Sequence, residues 1–224
     1  MPPTPTLSLC FDLDGTIVDT APDLIRVLNL VIAEEGLKET RDAAMRAIIG
    51  YGSRALIENA MALENHHISA GRVSELQTLF LELYAQDIAQ LSRPFPGVID
   101  VLRDLKRAGH SLSVCTNKPG WLARPLLEKL GMTPLFTRIV GSDDIARNKP
   151  HADHIFAAAG HRMANRIIMV GDGAPDSLAA RAAGVPCILM AYGYSPVPFE
   201  QLGADVVLRN FRGLPNAISR LSSA

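Results

Sequence analysis

Two carboxylates two residues apart, Asp12 and Asp14, close an apolar run and are followed at once by Gly15 and Thr16. Side chains at i and i+2 leaving a strand project to the same side, and a glycine beyond them lets the backbone turn tightly toward a ligand. A second acidic turn, Gly171-Asp172-Gly173-Ala174-Pro175-Asp176, closes another apolar run. Carboxylates gathered in one crevice repel, since two unit charges about 4 Å apart cost about 4 kcal/mol at an effective dielectric of 20. A divalent cation relieves that, and Mg²⁺ suits it because it takes few carboxylates, keeps waters and uses its remaining positions on phosphate oxygens. Between the acidic turns lie Thr116-Asn117 and Lys149-Pro150. Alone, each reads as a cap or a solvated charge. A hydroxyl ahead of a helix start can hold a phosphate, however, and a lysine supplies a compact positive charge. In chain order the set is two acids, a hydroxyl, a lysine and two acids, which together make a phosphoryl-transfer site. Asp176 keeps a second reading, as an acid favoured by a helix N-terminus.

The elements that must position these residues follow from the hydrophobic pattern. Short apolar runs alternate with longer helical patterns, the signature of βαβ units feeding a parallel sheet. Strands are expected at 7–11, 112–116, 138–140, 166–170 and 187–190, with a sixth at 205–208; helices are expected near 98–108, 119–130, 151–159, 175–183 and 214–222. The acids then stand at the carboxyl ends of strands, where open α/β sheets bind ligands. About a hundred residues separate the first two strands, far more than one crossover helix needs. In that stretch Leu24, Val27, Leu28, Val31 and Ile32 follow a helical period, as do Leu76, Leu79, Phe80, Leu83 and Ile88 more loosely. The reading is a doubly wound α/β core, residues 1–18 and 93–224, with an inserted α-helical cap at 19–92. Thr20-Ala-Pro-Asp23 resembles a capped helix start, and Ser92-Arg-Pro-Phe-Pro-Gly97 a proline-rich return linker.

Composition narrows the function classes. The chain has 224 residues, 48% hydrophobic and 20% charged, with 22 Lys+Arg against 23 Asp+Glu. That is globular composition, and without a basic excess it does not point to nucleic acid. The longest uncharged stretch is broken by Gly184, Pro186, Gly193, Pro196 and Pro198, so no membrane span is expected, and the N-terminus lacks the form of a signal peptide. The expected setting is the cytosol and the expected partner a small phosphorylated metabolite. Cys10, Cys115 and Cys187 are odd in number and sit in apolar runs, as reduced core thiols do. His66-His67 reads as polar surface, and so does the pair His151 and His154. Gly50-Tyr-Gly-Ser-Arg54 has two readings: a boundary between two cap helices, or a cap loop reaching over the site with Tyr51 or Arg54 against the substrate.

The four acid, hydroxyl and lysine signatures, in this order and with a helical insertion after the first, resemble the haloacid dehalogenase superfamily from Leu7 to about Leu214. The resemblance implies that Asp12 is a nucleophile forming an aspartyl phosphate and that Asp14 is first a general acid and then a general base. It implies Mg²⁺ held by Asp12, the main-chain carbonyl of Asp14 and Asp172. Thr116 would hold a phosphate oxygen, Lys149 would assist, and Asp176 would position Lys149 or a water on the ion. Asp14 speaks against a dehalogenase, which has no ester oxygen to protonate, and Thr16 favours hydrolysis over a phosphomutase of sugars or other organic phosphates. A receiver-like signalling module shares the acids, hydroxyl and lysine, but it lacks an inserted helical domain.

Within the superfamily, Ala21-Pro-Asp-Leu24, Ile49-Gly-Tyr-Gly52, Ala182-Ala-Gly-Val-Pro186, Tyr192-Gly-Tyr194 and Leu202-Gly-Ala-Asp205 are similar to the phosphoglycolate phosphatase branch. This implies 2-phosphoglycolate as substrate, with Asn117 and Lys149 near its phosphate and Arg54 as candidate for its carboxylate. Gly173 departs from the branch, which usually has a serine there.

Overall fold

The structure is a computed structural model that describes residues 6–40 and 42–222; the first five residues, on which the absence of a signal peptide was read, lie outside these. The chain runs β1 (Ser8–Phe11), β2 (Val18–Asp19), α1 (Ala21–Ala33), α2 (Asp42–Arg46), α3 (Ser53–Leu63), α4 (Ala70–Gln86) and β3 (Arg93–Pro94). It continues through α5 (Val98–Arg107), β4 (Ser111–Cys115), α6 (Gly120–Lys129), β5 (Arg138–Val140), α7 (Ala152–Ala159) and β6 (Ile167–Gly171). It ends with α8 (Ala174–Ala183), β7 (Cys187–Met190), β8 (Val206–Leu208) and α9 (Leu214–Ser222).

Six parallel strands form one sheet in the order β5-β4-β1-β6-β7-β8. Every residue of β1, β6 and β7 is buried, because helices cover both faces and leave no solvated side to alternate with. Successive residues of β1 point to opposite faces: Leu9 and Phe11 join a core that continues into the inserted helices, while Cys10 packs with Cys115, Met169 and Leu189 under α7 and α8. All three cysteines are reduced and buried, and burial pushes the Cys10 thiol up to about 11, so it behaves as a small apolar side chain.

The expected strands are present to within a residue, but 112–116 is observed as Ser111–Cys115 and 166–170 as Ile167–Gly171. Thr116 therefore lies just beyond its strand. The pairing of Phe11 with both Val114 and Val170 brings the ends of β1, β4 and β6 level, so the three functional turns leave the sheet side by side.

Four helices, α1 to α4, lie between β1 and β4 as the insertion. Leu24, Val27, Leu28, Val31 and Ile32 are buried, as their period requires. Two features departed from expectation. Thr20 precedes α1 but makes no capping bond; instead the buried Asp23 accepts from the Leu91 and Ser92 N–H groups at 3.0 and 2.7 Å and from the Ser92 hydroxyl at 2.6 Å, which ties the start of α1 to the return linker. The two crossings also pair as an antiparallel ribbon, Val18 with Pro94 and Asp19 with Arg93. Two-residue strands carry no readable period, so the ribbon was invisible in the sequence.

Candidate active site

Asp12 continues the strand pairing by donating its N–H to the Val170 carbonyl at 2.9 Å, which sets it directly beside the turn after β6. Its Oδ1 accepts from the Leu13 N–H at 2.7 Å and lies 3.0 Å from the Lys149 ammonium. Among the described residues nothing donates to its Oδ2. Asp172 is held by the Thr16 hydroxyl at 2.8 Å and the Tyr194 N–H at 2.7 Å. Gly15, at φ +84°, is required here: a side chain would collide with the Asp172 carboxylate and the Tyr194 ring. Asp176 accepts at Oδ1 from the Lys149 ammonium at 2.6 Å and at Oδ2 from the Asp172 and Gly173 N–H groups at 3.1 and 3.0 Å. Reaching back from the first turn of α8, it braces the loop at the position where the expected serine is missing.

Carboxylate oxygens of Asp12, Asp172 and Asp176 lie within 4.8 Å of one another. Burial pushes Asp12 up to about 6, with Lys149 opposing the shift, and burial together with the Asp12 and Asp176 charges raises Asp172 well above the usual carboxylate range. Three clustered acids, Asp172 and Asp176 buried and Asp12 partly so, against one ammonium call for a further positive charge, so the donor set fits a divalent cation. Asp176 has one oxygen on the Lys149 ammonium and the other on two N–H groups, whereas each Asp172 oxygen accepts a single bond and Asp12 Oδ2 accepts none, so Asp12 and Asp172 keep the lone pairs to offer. Burial alone would depress Lys149, but Asp12 and Asp176 more than offset it and keep the ammonium charged.

Lys149 is fixed through its backbone as well. The Asn117 amide donates to its carbonyl at 3.0 Å, and its own N–H donates to His154 Nδ1 at 3.1 Å. His154 is fully buried and must carry its proton on Nε2, which donates to the Val140 carbonyl at 3.1 Å. Burial, then the Lys149 charge, lowers it to about 4. The expectation of a surface histidine thus fails for His154, although His151 is exposed. A period reading cannot see that α7 turns this face toward the sheet.

Asp14 turns the other way. Both of its carboxylate oxygens lie 3.2 Å from the Lys118 ammonium, which is itself 4.5 Å from the centre of the Tyr84 ring. Asp14 is therefore outside the acidic cluster as a side chain, and any part in metal binding rests on its main-chain carbonyl. Lys118, and not Lys149, is the cation beside Asp14.

Two cavities meet at Asp12. A hollow of about 30 Å³ lies among Asp12, Asp172, Asp176 and Lys149. A larger one of about 210 Å³ is lined by Asp14, Thr116, Lys118 and Tyr84, with Tyr51 and Arg54 from the insertion. Gly50, Tyr51 and Asn117 border both. The loop at 49–52 thus reaches over the acids, the second of its two readings, while Gly52 at φ +91° also starts α3, the first. Arg54 lies 2.8 Å from Glu58 and donates to the Ser74 hydroxyl at 3.3 Å.

The family model for haloacid dehalogenase-like hydrolases matches residues 9–190. The chain belongs to this family. The hydrolase is 42% identical to a phosphoglycolate phosphatase of Caulobacter vibrioides, over 94% of this chain and 90% of the relative. It is 43% identical to one of Agrobacterium fabrum, over 93% and 90%. A crystal structure described as a predicted phosphoglycolate phosphatase from Haemophilus somnus superposes with a TM-score of 0.87 at 27% identity, covering 95% of this chain and 98% of that one. The hydrolase is a phosphoric monoester hydrolase, similar to the phosphoglycolate phosphatases. Among its described residues no helix is long and apolar enough to cross a membrane.

Sequence reasoning named the acids, Thr116, Asn117, Lys149 and Arg54; it did not single out Lys118 or Tyr84, placed His154 on the surface, and read Tyr194 only as part of a turn. Lys118 follows Asn117 directly and carried a usable signal, a lysine in the turn after a strand. Tyr84 continues the buried series Val73, Leu76 and Phe80 and looked like one more core aromatic.

Proposed function

We propose that this hydrolase cleaves 2-phosphoglycolate through an aspartyl phosphate on Asp12, with Mg²⁺ as cofactor. The observation that carries the reading is the position of Asp12, at the junction of an ion-sized hollow and a metabolite-sized cavity, with Oδ1 pinned and Oδ2 free. The names of the relatives support the substrate.

Asp12 and Asp172 would hold the ion, with the Asp14 carbonyl. When bound, Mg²⁺ offsets repulsion between the nucleophile and the phosphate dianion. Asp12 Oδ2 attacks phosphorus as the bond to the ester oxygen breaks; Asp14 gives that oxygen a proton and later takes one from the water that hydrolyses the acyl phosphate. Lys149 fixes Asp12 and adds positive charge, Thr116 and Asn117 face the phosphoryl oxygens, and Asp176 holds Lys149 in place. Arg54 stands on the cap side as a cation for the anionic substrate. The insertion, residues 19–92 against a core of 1–18 and 93–224, is the cap of this reading, and the β2–β3 ribbon is its hinge. Closure excludes competing water.

The test is a panel of phosphorylated metabolites with purified protein and Mg²⁺, together with acid-quenched single turnover. The reading expects the highest kcat/KM on 2-phosphoglycolate and phosphate trapped on the Asp12 peptide. Efficient cleavage of larger sugar phosphates with none of phosphoglycolate would overturn the substrate, and an unlabelled protein at every quench time would overturn the intermediate.

A further inference from the structure

The larger cavity holds two groups that the chemistry above does not use. Lys118 leaves the turn after β4 with its side chain only 5% exposed, and Tyr84 comes from the last turn of α4 on the insertion, fully buried. Among the described residues the Tyr84 hydroxyl has no hydrogen-bond partner of good geometry, yet the Lys118 ammonium lies 4.5 Å from the centre of its ring and the two groups perturb each other. An ammonium can only donate. Whatever Lys118 offers the phenol oxygen, the phenol proton is left without an acceptor, and a buried unpaired donor is costly unless something else accepts it.

Lys118 is under-used in the same way. Its hydrogen bonds to Asp14 are both long, at 3.2 Å, and spread over the two oxygens of one carboxylate, and its remaining contact is with the Tyr84 ring. Core and insertion therefore present a desolvated cation and an unmatched hydroxyl donor to the same cavity, next to the acid that would protonate the leaving oxygen. Arg54, at the cap side of this cavity, already shares its charge with Glu58 and is 43% exposed.

We propose that Lys118 and Tyr84 form a carboxylate-binding subsite that selects phosphate esters bearing a carboxylate next to the ester carbon. This rests on the phosphatase reading above and names its specificity determinant. The substrate carboxylate accepts the Tyr84 proton and shares the Lys118 ammonium with Asp14, which places the ester oxygen beside Asp14. A neutral substrate end supplies neither charge nor enough acceptors, so it leaves the phenol unmatched. Because Tyr84 belongs to the insertion and Lys118 to the core, the carboxylate bridges the two and favours the closed arrangement.

The measured quantity is the ratio of kcat/KM for 2-phosphoglycolate to that for 2-hydroxyethyl phosphate, which has the same chain length without the charge. Tyr84→Phe deletes one hydroxyl and should lower this ratio about 10- to 100-fold, mainly through KM for the carboxylate substrate. Its melting temperature should equal or exceed that of the wild type, since the deleted hydroxyl has no partner to lose. Lys118→Met should lower the ratio further while also slowing both substrates, because it releases Asp14. Calorimetry with phosphonoacetate against ethylphosphonate, in Mg²⁺, reads the same discrimination without turnover. A wild type that prefers the carboxylate ligand while Tyr84→Phe keeps that preference overturns the subsite and leaves the phosphatase reading standing. So does a collapse of the ratio in Arg54→Ala alone, or a marked loss of stability in Tyr84→Phe. A preference for another carboxylated phosphoester, abolished in both variants, supports the subsite and removes phosphoglycolate as the substrate.

Discussion

Lys149 and Lys118 are both buried ammonium groups facing an aspartate of the same turn, but their surroundings differ. Around Lys149 the cation itself is matched: Asp12 and Asp176 share its charge, the Asn117 amide and His154 hold its backbone, and the Val140 carbonyl takes the remaining His154 proton, although the Asn117 amide oxygen has no partner among the described residues. Around Lys118 the bonds are long and the Tyr84 proton has no acceptor among the described residues. The difference follows the parts of a phosphate ester. The phosphoryl group is common to all of them, so its end of the site can be organised before any substrate arrives, and preorganised charge costs nothing at the moment of reaction. The other end varies between substrates, and groups left unmatched there can reject a ligand that does not complete them.

The largest effect should come from the matched end. Asp12→Asn should cut turnover about 10⁴-fold or more on every substrate, because an amide is no nucleophile; phosphate release near the wild-type rate would remove Asp12 from that role. Chelation of divalent metal should abolish phosphate release for carboxylated and neutral esters alike, with Mg²⁺ restoring both. Substantial activity in excess chelator would show that Lys149 by itself balances the three acids.

Asp14→Asn tests the link between the two ends. It should slow alkyl phosphates about 10²- to 10⁴-fold and aryl phosphates less in single turnover, since a good leaving group needs little protonation. Equal losses on both would detach Asp14 from proton transfer and leave it as a partner of Lys118 only.

The smallest effect concerns the support of Lys149. His154 titrates at about 4 when folded against 6.5 when unfolded, so the unfolded chain takes up a proton first as pH falls. Stability should therefore decrease between pH 6.5 and 4 by roughly 3 kcal/mol from this group and level off below that window. His154→Gln should flatten this part of the profile in denaturant titrations, and an unchanged slope would show that the imidazole is not held neutral.

The strands were legible because a parallel sheet covered on both faces leaves runs such as Cys187–Met190 with no polar residue to confuse them. Asp12, Thr116 and Asp172 could be singled out because each stands where an apolar run stops, and strand ends are where such sheets bind ligands, whereas Lys149 lies in the polar loop between β5 and α7 and was singled out by its place ahead of a helix. Tyr84 was not, since a helical period marks a residue as inward-facing without saying whether it meets packed side chains or a cavity. His154 failed for a related reason: spacing along one helix cannot report which neighbouring carbonyl and N–H will flank it.

By itself, then, the order of residues determined the βαβ frame, the long helical insertion and the acids, hydroxyl and lysine at the strand ends, all of which follow from local pattern. Only the tertiary structure decided how those charges pair. It turned Asp14 away from Asp12 and onto Lys118, put both Asp176 oxygens to structural use, and set Tyr84 of one region against a lysine of the other. Pairing depends on separations of a few ångströms between residues far apart in the chain, 104 positions for Asp14 and Lys118 and 156 for Thr16 and Asp172, and nothing in the local sequence encodes them. Coulomb and hydrogen-bond energies fall off over that same distance, so the chemistry of the site is a property of the folded chain.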